Sequence, residues 1–287
     1  FLHGKRKRDL IIYDFWTTEY NIEPLKLLDA LIDKGAVHKT QDLSYTLTQF
    51  TVPIIKDLLK KSGIKLSGNK QDLIERVKLN ASLIDLSHLH PEAVYIVDDS
   101  LNDLMQNTTF LNYINLYGPI GIEDAFSYYL QHQDMNESEL IISIHETHIT
   151  ETMNKTNKYD AIKCHHLLTE YYSSKCDDFD KRLYHLNHFS MLIVLESIQR
   201  YLQIDYPSTH YSFFNIDNYT IEKYRDMLLM KQLDINTLYD RLLEHTEALP
   251  YAENFIKLAA QYIIRCVIGS SQAEDKLIQV LEKFKSK

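Results

Sequence analysis

From Ile122 to the C-terminal region, apolar residues recur with a period close to 3.6. The pattern marks helices near 122–133, 137–153, 158–174, 178–203, 219–230, 234–246, 251–268 and 271–285. It breaks only at Gly118-Pro119-Ile120-Gly121, Asp205-Tyr206-Pro207-Ser208 and Leu249-Pro250. A segment of this kind can bury its stripes only by packing helix on helix. An apolar content of 45% in 287 residues supports cores and argues against disorder. The fold class expected is mostly all-α. A small N-terminal helical module with a minor strand occupies residues 1–117, and a larger, acidic, all-helical domain occupies 118–287.

Within the first module, Ile22 to Lys34 reads as a helix through Leu25, Leu28, Leu31 and Ile32, with Gly35 as its stop. Asp42 to Gln49 is short, polar and at best alternating. Ala93 to Val97 reads as a strand, and Asp98-Asp99-Ser100 turns it into a helix from Leu101. In the second, Asn157-Lys158-Tyr159-Asp160-Ala161 followed by Leu167-Leu168 resembles one helix of a tetratricopeptide-type pair, although ordinary helical domains also contain such hairpins. Twenty tyrosines suit helix packing and, where exposed, protein interfaces.

Charge is distributed unevenly. The chain carries a net −9, yet residues 1–80 hold fourteen Lys/Arg and ten Asp/Glu, so the remainder carries −13. Phosphate is repelled by such a remainder, which confines any DNA contact to the N-terminal part. Three cysteines, Cys164, Cys176 and Cys266, make no disulfide framework, and a reducing cytoplasmic setting is expected. No run approaches the roughly 20 apolar residues of a membrane span, so no membrane partner is expected. Phe1-Leu2-His3-Gly4 is not an initiator start, and Lys5-Arg6-Lys7-Arg8 reads as a solvated basic end.

Residues 51–79 depart from the acidic background. Over 51–78, seven basic side chains face three acidic ones, a net of +4. Val52 to Lys61 is a helix with Pro53 tolerated in its first turn, and Ile54, Ile55, Leu58 and Leu59 facing inward. Ser62-Gly63 ends it, with Gly63 suited to a left-handed cap. Asn69 can cap a second helix, Lys70 to Leu79, whose apolar face is Leu73, Ile74 and Val77. Between them Gly68 permits close approach to a phosphate, and the amides of Asn69, Lys70 and Gln71 open a helix that attracts anions. Lys65 and Lys70 flank this point. Lys56 and Lys60 share one helical face beside Lys61, and Arg76 and Lys78 extend the basic surface. Lysines that merely solubilise a small hairpin are the alternative.

Thr51-Val52-Pro53, Leu58-Leu59, Gly63-Ile64, Ser67-Gly68-Asn69-Lys70 and Leu73-Ile74-Glu75-Arg76-Val77 resemble the SAP motif. That module is a helix–loop–helix of about 35 residues found in chromatin, repair and phage proteins. The resemblance implies binding of duplex DNA, often AT-rich, with no catalytic role of its own. It assigns nucleic-acid contact to Lys56, Lys60, Lys61, Lys65, Ser67, Gly68, Asn69, Lys70 and Arg76. The wider frame resembles Gram-positive prophage proteins containing this module, in which a phrase Val-Tyr-x-Leu-Thr-x-x-Gly follows. Here the equivalent is Val94-Tyr95-Ile96-Val97-Asp98-Asp99-Ser100, without the threonine and the glycine.

Metal and catalytic motifs are not evident. His145-Glu146-Thr147-His148 spaces its histidines at i and i+3, whereas the zincin pattern needs i and i+4, so surface histidines are expected. Cys164, His165, Cys176, His185 and His188 have ligand chemistry at loose spacing, and buried cysteines with surface histidines account for them. No phosphate loop or nucleophile elbow occurs. Asp98/Asp99 and Asp177/Asp178 read as solvated turns. No cofactor and no metal is expected. The first reading is therefore a non-enzymatic, DNA-associated protein of phage or mobile-element type, with a helical domain for a protein partner or self-association. The alternatives are an acidic factor that inhibits a host or phage enzyme, and a metal-dependent nuclease.

Overall fold

The computed structural model describes residues 4–18, 20–155, 158–204 and 213–285. The expected break at 205–208, residue 157 of the tetratricopeptide-like phrase and residues 1–3 lie outside these. Helix makes up 69% of the structure, and the sheet has two strands, so the fold is mostly all-α. The chain divides into two compact units, Phe1–Asn107 and Thr108–Lys287.

The first unit contains α1 (Phe15–Thr18), α2 (Pro24–Asp33), β1 (Val37–Thr40), α3 (Leu43–Thr46), α4 (Val52–Lys61), α5 (Lys70–Leu79), β2 (Val94–Val97) and α6 (Asn102–Asn107). The sequence pattern anticipates β2 but not its partner. β1 pairs with β2 antiparallel, Val37 opposite Val97 and Thr40 opposite Val94. Leu28 of α2 joins Val37 and Tyr95 in a small core. Everything from α3 through α5 is thus inserted between two paired strands. Two polar clamps fix the stem of the insertion. Gln49 donates to the Glu92 carbonyl at 2.7 Å and accepts from the Glu92 amide at 3.0 Å, and Gln41 donates to the Pro91 carbonyl at 3.2 Å. Asp98 closes the sheet end by accepting from Ser100 and meeting His38 Nε2 at 2.7 Å; these bonds hold its carboxyl down at about 2.

The second unit is built from α7 (Phe110–Tyr117), α8 (Ile122–Gln131), α9 (Glu137–Met153), α10 (Tyr159–Tyr171), α11 (Phe179–Gln203), α12 (Asn218–Lys231), α13 (Ile235–Thr246), α14 (Glu253–Val267) and α15 (Ala273–Lys285). The expected boundary at 117/118 lies C-terminal to this division because α7 buries Phe110 and Ile114 in a core shared with α8 and α9. Side chains start these helices as capping chemistry requires. Asn136 and Glu139 form a reciprocal capping box on α9, and Asp178, Asp217 and Asp234 cap α11, α12 and α13. α10 ends in a π turn at Tyr172–Cys176, and Asp177, with φ +48°, reverses the chain into α11. The helix pair around the 158–161 phrase is α9–α10; a helix of 25 residues follows rather than another pair of that length.

α11 organises the larger core, packing against α10, α13, α14 and α15. Its buried set includes five polar side chains: His185, Asn187, His188, Ser190 and Ser197. Burial of a polar group is tolerated when it is hydrogen-bonded. Asn187 donates to His245 Nδ1 at 3.0 Å, and its carbonyl oxygen lies 3.0 Å from the Tyr224 hydroxyl. The same hydroxyl lies 3.2 Å from both the Leu186 carbonyl and Ser190 Oγ. α12 and α13 are thereby held to one register on α11. Tyr224→Phe keeps the ring and removes this hydroxyl, leaving Asn187 Oδ1 without its donor. The expected loss is about 1–3 kcal/mol in urea unfolding followed by circular dichroism. An unchanged midpoint would show that the bond is dispensable.

Candidate nucleic-acid interface

α4 and α5 meet through Ile55, Leu58 and Leu59 on one side and Leu73, Ile74 and Val77 on the other, all buried. Leu47, Phe50, Ile64, Leu66 and Ile84 complete this core, so the folded module begins before Thr51 and continues past Leu79. Ile54 does not face inward as its apolar character suggests; it is 41% exposed beside the lysines. α4 ends as the sequence predicts. Gly63 takes φ +70°, its amide bonds the Lys60 carbonyl at 3.1 Å, and the Ile64 amide bonds the Leu59 carbonyl at 2.8 Å. This is a Schellman closure, sealed by Ile64 packing in the same core as Leu59.

The loop before α5 is held differently from what the sequence implies. Asn69 Oδ1 accepts from the Asp72 amide at 3.0 Å, and Asp72 Oδ2 accepts from the Asn69 amide at 2.9 Å. The Asn69 amide is therefore occupied, and a carboxylate already sits at the helix start; the amides of Lys70 and Gln71 are the ones left to face outward. Gly68 has φ +125°, and a Cβ there would lie 2.8 Å from Asp72 Oδ2. Its role in the structure is close packing against the cap. Arg76 is half-buried, and its Nη1 donates to the Lys65 carbonyl at 2.7 Å and the Ser67 carbonyl at 2.9 Å. It staples the loop from beneath, instead of extending the basic surface as expected from its charge. The Asn-x-x-Asp spacing could have revealed the cap. Nothing local in the sequence shows where Arg76 reaches.

The lysines divide by their partners. Lys56, Lys60 and Lys65 are exposed and form no ion pair among the described residues. Lys61 Nζ lies 2.8 Å from Asp57 Oδ2, which keeps Asp57 below the usual carboxylate range. Lys70 Nζ donates to the Thr48 carbonyl at 2.7 Å, and Lys78 lies 3.5 Å from Glu75. Ser67, Gly68 and Asn69 are exposed at the loop surface. The positions assigned to nucleic acid thus comprise three cations outside ion pairs among the described residues, two engaged ones, an exposed turn and one half-buried staple.

Elsewhere, histidines expected on helix surfaces are buried or half-buried. His145 is 0% exposed with Nδ1 2.7 Å from the Ile141 carbonyl, and His148 is half-buried. His165, His185 and His188 lie together in the second unit, but the cysteines stand apart from them in role: Cys164 joins the core of α7–α9, and Cys176 is exposed. Among the described residues, no group of three or more His, Cys, Asp or Glu is arranged to hold a metal ion. No described helix is long and apolar enough to cross a membrane.

Comparison with curated proteins and with solved structures found no match. One family model does match, that of the SAP domain, over residues 46–79. It spans α4, the stapled loop and α5, together with the residues before Thr51 that complete their core. The chain therefore carries a SAP domain at 46–79, which points to nucleic-acid binding by this hairpin.

Proposed function

We propose that this protein binds duplex DNA through phosphate contacts from Lys56, Lys60 and Lys65, and that it acts by binding rather than by catalysis. The observation that carries the reading is the presence on the matched hairpin of three exposed lysines that form no ion pair among the described residues. Lys56 and Lys60 lie four apart on α4 and share one face, and Lys65 opens the loop that Arg76 holds. Such contacts position a protein on DNA without reading bases. A single small module with few phosphate contacts is expected to bind at about 1–100 µM at physiological salt. The resemblance of the frame to prophage proteins supports a phage or mobile-element setting.

The helical unit is the candidate for a protein contact or self-association. It holds seventeen Lys/Arg against twenty-five Asp/Glu, which disfavours phosphate. It also exposes Leu229 and Met230 on α12 and Ile268 after α14, each more than half exposed. Inhibition of an enzyme with a basic surface is the second reading that this charge favours.

Two variants test the DNA reading by fluorescence anisotropy on a labelled duplex at two salt concentrations. Lys60→Gln with Lys65→Gln is expected to weaken binding uniformly across sequences and to lower the salt slope by about two. Equal binding by wild type and variant would remove this face from the DNA. Asp57→Asn frees Lys61 and is expected to strengthen binding and steepen the slope by about one. Unaltered affinity would show that Lys61 does not reach phosphate. If wild type binds no duplex at all, the protein-interaction reading takes its place.

A further inference from the structure

The buried imidazoles of the second unit form a continuous cluster. His165 of α10 and His185 of α11 place their Nδ1 atoms 3.0 Å apart. One of the two nitrogens must carry the hydrogen and the other must present its lone pair. His188 stacks on His165 with centroids 4.7 Å apart and planes inclined by 15°, and its Nδ1 lies 3.0 Å from the Tyr184 carbonyl, which makes that nitrogen the donor. Tyr172 of the π turn stacks on His185 at 5.5 Å and 12°, and Tyr184 covers His188 at 4.2 Å. α9 contributes His145, which acts on His185. The Nε2 atoms of His145 and His185 are buried with no hydrogen-bond partner among the described residues.

The groups facing these rings offer no countercharge. α9 presents His145 and His148. Its Glu146 acts on Tyr172 and Tyr184, and Glu151 lies 3.9 Å from His148. From α10, Asp160 lies 3.8 Å from His148. From α11 come Lys181 and Tyr184, and from α13 His245, whose own charged neighbours are Glu244, Arg241 and Asp180. α7 sets Tyr113 edge-on to His145. Among the described residues, no charged group of α14 or α15 acts on the cluster, and no carboxylate acts on His165, His185 or His188.

We infer that this cluster is an acid-opened seam: it joins α9, α10 and α11 only while its rings are neutral. A second hydrogen on the His165–His185 pair would set two N–H groups against each other across 3.0 Å. A hydrogen gained at Nε2 of His145 or His185 would point at no acceptor. Burial accordingly pushes His185 down to about 3, His188 to about 4 and His165 well below its ordinary value. In the unfolded chain these groups titrate near 6.5. A depressed folded value means that the stability is fully present above about 6.5 and is lost as pH falls toward 3–4. Each such histidine lowers the folding constant by up to about tenfold per pH unit, so the three together give a few hundredfold between pH 6 and pH 5.

Hydrogen exchange of the full chain, with rates corrected for intrinsic pH dependence, tests the seam. Peptides of α9, α10 and α11 are expected to lose protection between pH 6.5 and pH 5 before those of α14 and α15. Equal loss across all helices, or none, would overturn the inference. The variant His165→Phe with His185→Phe keeps aromatic packing and removes two titrating rings. Its stability should change about sixtyfold less than wild type over pH 6 to 5, while His88→Gln with His90→Gln, both exposed, should behave as wild type. If the phenylalanine variant fails to fold, the exchange order in the wild-type chain decides alone.

Discussion

The second unit depends on satisfying the polar side chains that α11 carries into the core. A 25-residue helix surrounded by four others has little solvent-facing surface, yet His185, Asn187, His188 and Ser190 fall in its buried middle. Each restricts what can pack there. Asn187 needs His245 and Tyr224, which sets α13 and α12; His185 needs His165, which sets α10. An apolar helix of the same length could slide against its neighbours at modest cost. This one loses hydrogen bonds in low dielectric when it moves, and a buried donor or acceptor left alone costs about 1–3 kcal/mol.

The SAP domain meets the opposite demand. Its core is a handful of aliphatic side chains between two ten-residue helices, too little to order the loop between them by burial alone. Polar bonds supply the rest. Arg76 gathers the carbonyls of Lys65 and Ser67, the Asn69–Asp72 box closes the helix start, and Gly68 is the residue that fits over Asp72. Gln49 and Glu92 tie the stem to the strand end. A loop held this way presents Lys65 with little backbone freedom to lose on binding, which favours a phosphate contact.

How much was legible in the sequence follows from the range of each interaction. α4 and α5 were readable to the residue because proline, glycine and asparagine mark their ends by local rules. The long helices were readable from periodicity. β1 was not, because Val-His-Lys-Thr has little apolar content and becomes a strand only through pairing across more than fifty residues with β2. Arg76 and Lys70 were read by charge alone, and their carbonyl partners at Lys65, Ser67 and Thr48 are tertiary facts. The histidines were misplaced for a related reason. Polar residues interrupt the apolar stripe of α11, and a stripe analysis puts interruptions on the surface unless the helix is enclosed on all sides.

Charge finally explains why the proposed binding by so small a module would be selective for site on this chain. The second unit carries an excess of eight carboxylates, so phosphate approaching it meets repulsion over most of its surface. At physiological salt that repulsion decays over about 8 Å, while lysines in direct contact with phosphate act within that distance. On the proposed reading attraction is strongest where cations are not held in ion pairs, and Lys56, Lys60 and Lys65 form none among the described residues, although Lys60 still acts on Asp57. Lys61 shows how the same surface is attenuated: Asp57 neutralises it at 2.8 Å, and a polyanion must displace that carboxylate to engage it. On the proposed reading, affinity is governed by how many lysines the neighbouring acids leave outside ion pairs, more than by how many the hairpin contains.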